Sequence, residues 1–194
     1  MPDIDRMGKE NTKQGICGFT STLYAVYMNQ PQLQGQLSGA LGAQTRSTRL
    51  MAEIKTFLQM MKADGKNNIL SQIAELTRTF PGYDAWSVDS YIKEINTLKV
   101  GNYSIAMPPE ATMEYMRTAW DLHPVLKDNC TSGNVILGLT RTGAPQNKWK
   151  NLAHYVNMSR AGRIYSWGEQ FDSLADMNTK KRKDYSVIYC ITVS

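Results

Sequence analysis

The sequence predicts an α+β protein with helices first and an antiparallel sheet second. Three observations carry this. Between Thr45 and Trp120, apolar residues recur at steps of three and four. From Asn134 onward, short β-branched and aromatic runs alternate with polar turns. Arg160-Ala161-Gly162 then reads as a hairpin turn between two of those runs.

The elements follow in order. Thr20 to Tyr27 is a short apolar helix, stopped at Asn29-Gln30-Pro31 because proline cannot continue a helix. Gln32 to Ala43, rich in Gln and Gly, reads as a loop. Thr45 to Ala63 carries Leu50, Ile54, Leu58 and Met61 on one face and ends at Asp64-Gly65. Asn67 to Phe80 carries Ile69, Ile73 and Leu76 and ends at Pro81-Gly82. Ser87 to Leu98 is a third amphipathic helix, with Ser87 or Asp89 as its cap. A short strand is expected at Tyr103 to Met107, and Pro108-Pro109 opens a helix over Glu110 to Trp120. Strands are expected at Asn134 to Thr140, Ala153 to Ser159, Arg163 to Trp167 and Tyr185 to Val193. Phe171 to Met177 is a short helix or loop. With no internal repeat and no long linker, residues 1–194 form one domain.

Composition removes several classes of function. No apolar run approaches the roughly 20 residues that span a bilayer. The start, Met1-Pro2-Asp3-Ile4-Asp5-Arg6, lacks a basic-then-apolar leader. A chain made in the cytoplasm is therefore expected, exported if at all by a route without a cleaved leader. The net charge of +5 comes partly from Lys180-Lys181-Arg182-Lys183, read as a solvated loop. Nothing interleaves aromatic and basic residues as a nucleic-acid groove would, so no nucleic-acid partner is expected. Three cysteines at irregular spacing make neither a disulfide framework nor a zinc site. Cys190 reads as core and Cys130 as a loop thiol. No metal or cofactor is implied.

Cys17 is the residue that suggests chemistry. It follows Gln14-Gly15-Ile16 and precedes Gly18-Phe19-Thr20-Ser21, so a thiol stands where a helix begins. Unpaired N–H groups and the positive end of the helix dipole favour the thiolate, which is the nucleophile. The plainer alternative is a small buried hydrophobe. A thiol nucleophile needs a base, and the chain has two histidines. His123 precedes Pro124 in a turn and reads as structural. His154 opens a strand directly after a polar loop, at the rim of a sheet, and is the expected base.

Two further roles need residues. If Ala161-Gly162 form a two-residue turn, Arg160 pairs with Arg163, and Glu169 falls opposite His154. Glu169 is thus the first choice to orient the imidazole, followed by Asp172 and then Gln170, which a one-residue slip would bring into place. For the oxyanion, the Cys17 N–H is one donor, and the side-chain amide of Gln14 or Asn11 is the second.

At these residues the chain resembles the papain-like cysteine peptidase superfamily. Gln14-Gly15-Ile16-Cys17-Gly18 is similar to the family's Gln-Gly-x-Cys-Gly segment, His154 comes late on a strand, and Ser166-Trp167-Gly168 is similar to its Asn-Ser-Trp-Gly turn. A literal papain alignment would place the nucleophile at Thr20, and the family's Asn is Tyr165 here. The pattern is closer to compact bacterial relatives in which Cys-Gly itself opens the helix: bacteriocin-processing peptidases, NlpC-type cell-wall peptidases, and secreted effectors that cleave or deamidate proteins. The resemblance implies a papain-like fold with the nucleophile helix packed on a C-terminal antiparallel sheet. It also implies amide hydrolysis through a Cys-His-acid triad and a thioester, acting on a protein or peptide substrate. Deamidation, transglutamination and cell-wall cleavage share those steps. By analogy such a chain suits an effector or toxin, with a secretion apparatus or immunity protein as partner. A non-catalytic binding protein with a buried Cys17 is the competing class.

Overall fold

The computed structural model describes residues 3–12, 14–34, 46–97, 101–130 and 133–193. Among them are seven α-helices, in chain order α1 (Asp3–Glu10), α2 (Cys17–Asn29), α3 (Arg46–Ala63), α4 (Asn67–Arg78), α5 (Val88–Ile95), α6 (Pro109–Trp120) and α7 (Leu174–Lys181). The strands are β1 (Pro124–Lys127), β2 (Val135–Thr140), β3 (His154–Met158), β4 (Ile164–Ser166), β5 (Glu169–Phe171) and β6 (Ser186–Val193). All six pair antiparallel in one sheet, ordered β1-β6-β2-β3-β4-β5. The architecture is α+β. No helix among the described residues is long and apolar enough to cross a membrane.

α2 is the central helix. It carries no charged residue, and Gly18 through Leu23, Ala25 and Val26 are buried. A helix buried nearly all round must be enclosed on every side. Phe19 meets the rings of Phe57 on α3 and Tyr115 on α6, at centroid distances of 5.9 and 4.7 Å. On the sheet side, Asn157 Nδ2 of β3 donates to the Ser21 carbonyl at 2.9 Å. The sheet divides the core in two. Ile136, Tyr155, Tyr189 and Ile191 join the helical core, while Val135, Leu137, Leu139, Val156 and Cys190 pack with Phe171 and Met177 on the other face.

Several elements differ from the sequence expectation, each for a local reason. Residues 103–107 are extended but join no sheet, because the Ile105 N–H bonds to the Gly15 carbonyl and the Ala106 N–H to Thr77 Oγ1. α1, β1 and β5 are additional elements. The 3-10 turn Pro31–Leu33 opens the expected Gln-rich loop, whose residues 35–43 lie outside the described set, as do Thr45 and Leu98. The basic run is not a loop. Lys180 and Lys181 form the last turn of α7, where cations suit the helix dipole, and Arg182 closes it with φ of 52°.

The cysteines also differ. Cys130 and Cys190 form a disulfide that ties the β1–β2 connection to β6, with Cα atoms 6.0 Å apart. Each was expected alone, since spacing cannot show that β1 pairs with β6 and places Lys127 opposite Cys190. Cys17 is the free thiol among the described residues.

Two experiments check this packing. Thiol titration of the air-oxidised, unfolded protein is expected to find one free thiol, and reduction should lower stability by about 2–4 kcal/mol, the usual effect of closing a long loop. The Tyr189 ring fills the space a Cβ would need at Gly138. Gly138→Ala should therefore cost about 1–3 kcal/mol, read as a lower urea midpoint.

Candidate active site

Cys17 is the first residue of α2, and its N-cap Ile16 supplies no side-chain bond to the helix end. The Phe19 N–H donates to the Ile16 carbonyl, but no side chain caps the N–H groups of the first turn. Those of Cys17 and Gly18 face the Cys17 sulfur, joined by the main-chain N–H of Tyr155 from β3. Tyr155 directly follows His154, so the sulfur sits against the beginning of the strand that carries the imidazole. Cys17 and His154 line one cavity of about 370 Å³. Along β3, Asn157 faces α2, and Tyr155 joins the helical core. His154 alternates to the other side but, as the strand's first residue, meets the cavity at the rim.

The imidazole is held on three sides. Nε2 lies 2.8 Å from Ser166 Oγ. Trp167 stacks on the ring with centroids 4.4 Å apart and planes within 6° of parallel. Tyr185 covers another side at 5.6 Å. The ring's other nitrogen is Nδ1. For it to accept a proton, Nε2 must carry the other one and donate it to Ser166 Oγ.

Trp167 and Gly168 have φ of 51° and 71° and join β4 to β5. Two successive positive φ values are what a tight two-residue hairpin requires. Gly8 of α1 packs so closely on this turn that a Cβ would lie 2.8 Å from the Gly168 nitrogen.

The expected orienters lie elsewhere. The β3–β4 hairpin has a three-residue loop, with the Ser159 N–H bonded to the Arg163 carbonyl and Gly162 at φ of 77°. This slips the register by one from the two-residue turn, so Asn157 faces Tyr165. The chain then turns back at Trp167-Gly168, which places Glu169 on β5 opposite Ser166. There Glu169 Oε1 is 2.7 Å from Lys181 Nζ, and that ammonium lies 5.5 Å from the Trp167 ring centre. Glu169 reaches the imidazole only through Lys181 and Trp167. Gln170 is exposed opposite Tyr165. Asp172 is also exposed, its main-chain N–H donating to Asp176 at the start of α7. Ser166, within the Ser-Trp-Gly pattern, is the imidazole's partner, a place that residue spacing does not mark.

The two amides upstream have different partners. Gln14 is fully engaged: its Oε1 accepts from the Tyr103 N–H and Ser104 Oγ, and its Nε2 donates to the Gly101 carbonyl. It does not line the cavity. Asn11 does, and its Oδ1 accepts from the Ile16 N–H at 3.0 Å. That bond fixes the amide and leaves Nδ2 as its donor end. His123 lies outside the cavity.

Burial favours the neutral form of both side chains. Burial pushes the Cys17 thiol up from 9.0 to about 11, although the N–H groups of Tyr155, Cys17 and Gly18 each pull it down. Burial also pushes His154 down from 6.5 to about 3. Removal of water outweighs the helix end. Among the described residues, no group of three or more His, Cys, Asp or Glu side chains is placed to hold a metal.

The chain matches no protein-family model, no curated protein and no solved structure. What can be said of its chemistry rests on this geometry.

The pH dependence follows with definite signs. In the unfolded chain His154 takes a proton below about 6.5, while the folded site resists until about 3. The unfolded state therefore binds more protons in that window, and stability falls as pH drops through it, by up to about 1.4 kcal/mol per pH unit. Denaturant titrations from pH 7 to 3 should show this slope, and His154→Gln should flatten it. Alkylation of Cys17 by iodoacetamide should climb with pH toward about 11. A plateau from pH 5 would instead mark a resting thiolate–imidazolium pair.

Proposed function

We propose that this chain is a cysteine-dependent acyl-transfer hydrolase of papain-like type that cleaves amide bonds through a thioester. One observation carries the reading: the Cys17 sulfur lies at an uncapped helix N-terminus, against the strand residue that follows His154, and both side chains line one cavity. A thiol with main-chain donors beside it and an imidazole on the same cavity are the groups that acyl transfer uses.

The steps follow from the neutral resting state. A bound carbonyl is attacked by sulfur as Nδ1 of His154 takes the thiol proton. Transfer is coupled to attack, because a thiol near 11 and an imidazole near 3 do not exchange a proton spontaneously. The oxyanion is met by the Cys17 N–H and Asn11 Nδ2. The imidazolium is steadied by Ser166 Oγ and then protonates the leaving amine. Water hydrolyses the thioester, releases the acid and restores the thiol. Trp167 shields the ring from solvent throughout.

The cavity favours some substrates over others. None of its lining residues is Asp, Glu, Lys or Arg. Cell-wall stem peptides carry free carboxylates and find no counter-charge there, so protein or peptide cleavage, or glutamine deamidation, fits better. The Cys130–Cys190 disulfide supports a working life in an oxidising compartment. That suits an exported effector or toxin, for which a secretion apparatus or an immunity protein would be the partner. A second reading, a non-catalytic binding protein with an inert Cys17, is favoured by one observation, the raised thiol.

Variants separate these readings. Cys17→Ala is expected to abolish activity or toxicity without loss of fold, while Cys130→Ala and Cys190→Ala reduce stability and leave turnover. Ser166→Ala should cost about tenfold in kcat/KM, the worth of one hydrogen bond to a charged ring. Glu169→Ala should cost less than Ser166→Ala. Asn11→Ala should lower kcat by about 100-fold if its amide meets the oxyanion. A fully active Cys17→Ala protein would end the proposal.

A further inference from the structure

The Trp167-Gly168 turn holds a bulky side chain where small residues normally stand. Trp167 has φ of 51°, in the left-handed region, and a two-residue turn of this kind favours Asn and Gly. Tryptophan bears a steric cost there that glycine avoids. Such strain persists only where the surroundings enforce it, and it gathers at working sites. What holds Trp167 therefore bears on what its ring is for.

Two helices from opposite ends of the chain hold it. On the main-chain side, Gly8 of α1 packs against the turn, where a Cβ would lie 3.0 Å from the Gly168 Cα. On the ring side, Lys181 in the last turn of α7 sets its ammonium 5.5 Å from the indole centre and 5.5 Å from that of Phe171. Glu169 Oε1 fixes the same ammonium at 2.7 Å. An exposed ion pair by itself contributes little. Lys181 is only partly exposed, and the two aromatic rings add cation–π attraction to the pair. Phe171 is buried and anchors the arrangement in the core on the sheet's other face. The indole in turn lies flat on the His154 imidazole at 4.4 Å. Contacts thus run from Glu169 to Lys181, to Trp167, to the imidazole.

We propose that Lys181 is a positioning residue: held by Glu169, its ammonium keeps the Trp167 indole on the His154 imidazole, so the last turn of α7 sets the place of the candidate base. That this place matters for catalysis rests on the reading of Cys17 and His154 as a reacting pair. The other titratable groups around the ring are Cys17 from α2 and Tyr185 before β6, with Arg141 and Asp184 acting on Tyr185. Glu169 therefore serves the imidazole at two removes.

The chain has two histidines, so the imidazole can be followed directly by NMR. The Cε1–H signal of His154, assigned by its loss in His154→Gln, is titrated from pH 7 to 3 in the intact protein. In the native protein burial keeps the ring neutral down to about 3. Lys181→Met keeps the aliphatic stem and removes the cation. The indole then loosens, water reaches the imidazole, and the midpoint should rise by about one pH unit or more. Lys181→Arg supplies a cation again and should restore the native midpoint. Glu169→Gln separates holding from simple charge, because it leaves the cation in place. Positioning predicts that its midpoint also rises, whereas charge repulsion alone predicts that it stays or falls. An unmoved midpoint in Lys181→Met or Glu169→Gln, or a raised one in Lys181→Arg, overturns the inference. Should Lys181→Met not fold, the other two variants decide.

The activated ester p-nitrophenyl acetate tests the catalytic half. Sulfur bonds to the acetyl carbon, the ester C–O bond breaks and p-nitrophenolate leaves. His154 takes the thiol proton, and water then splits the thioester to acetate and thiol. Phenolate release above the Cys17→Ala background should fall about fivefold in Lys181→Met, the rate equivalent of one cation–π contact, and return in Lys181→Arg. Undiminished release in Lys181→Met overturns the inference while the nucleophile stands. Release that never depends on Cys17 overturns the nucleophile reading, and the His154 titration still decides whether Lys181 holds the ring.

Discussion

The first turn of α2 enters the core without a side-chain cap, and the cavity is organised around that fact. Orphan N–H groups at a helix start must find an acceptor or stay wet. Here Ile16 carries an aliphatic side chain, its own N–H is taken by Asn11, and the N–H groups of Cys17 and Gly18 turn toward the thiol. The position is enforced from several directions. Asn157 ties β3 to the Ser21 carbonyl, and Gly18 lets Met107 approach to where a Cβ would meet it at 2.8 Å. Gly15 hydrogen-bonds to the extended segment on its other side. Relaxing any of these would move sulfur, donors and cavity wall together.

The electrostatics of the site run against the simplest picture of a helix-end cysteine. Dipole and N–H groups favour the thiolate, yet burial wins and the thiol rises to about 11. The imidazole moves the opposite way for the same reason. Burial penalises whichever form is charged, an anion for sulfur and a cation for the ring. Two neutral side chains hold no ion pair at rest. In the proposed reaction the main-chain N–H groups at the sulfur would already stand beside the developing charge, and such pre-aimed dipoles are most effective where water is excluded. The hydroxyl of Ser166 fits such a pair, since it can accept from Nε2 without the cost of burying a carboxylate beside the ring.

Much of the fold was legible in the sequence because it depends on local periodicity. The α3, α4 and α6 segments and the strands β2, β3 and β6 stand close to where apolar spacing and Gly/Pro punctuation place them. The exceptions depend on distant partners. Residues 103–107 have strand-like alternation, but their hydrogen bonds go to Gly15, Gln14 and Thr77, and no spacing rule anticipates that. The basic run carries no apolar spacing that marks a helix, whereas Ser173 caps α7 by accepting from the Asp176 N–H. The disulfide, between cysteines 60 positions apart in the chain, likewise depends on β1 pairing with β6.

The candidate site divides along the same line. That Cys17 and His154 line one cavity agrees with the expectation drawn from residue type and from position at an element's start. Their supporting residues were not legible, because each turns on a register of one residue or one turn. A three-residue loop in place of a two-residue turn moved the partner strand by one position, and a side chain changes face with every such step. Ser166 thereby came to the imidazole, and the turn at Trp167-Gly168 carried Glu169 to the far strand beside Lys181. Gln14 and Asn11 pose the same problem upstream. Both offer an amide within a few residues of Cys17, and only the three-dimensional path decides between them: Gln14 turns toward the 101–104 segment, whereas Asn11 is braced by the Ile16 N–H at the cavity wall. Residue type suggests the candidate reactive atoms, and the hydrogen bonds of the neighbouring main chain choose what stands beside them.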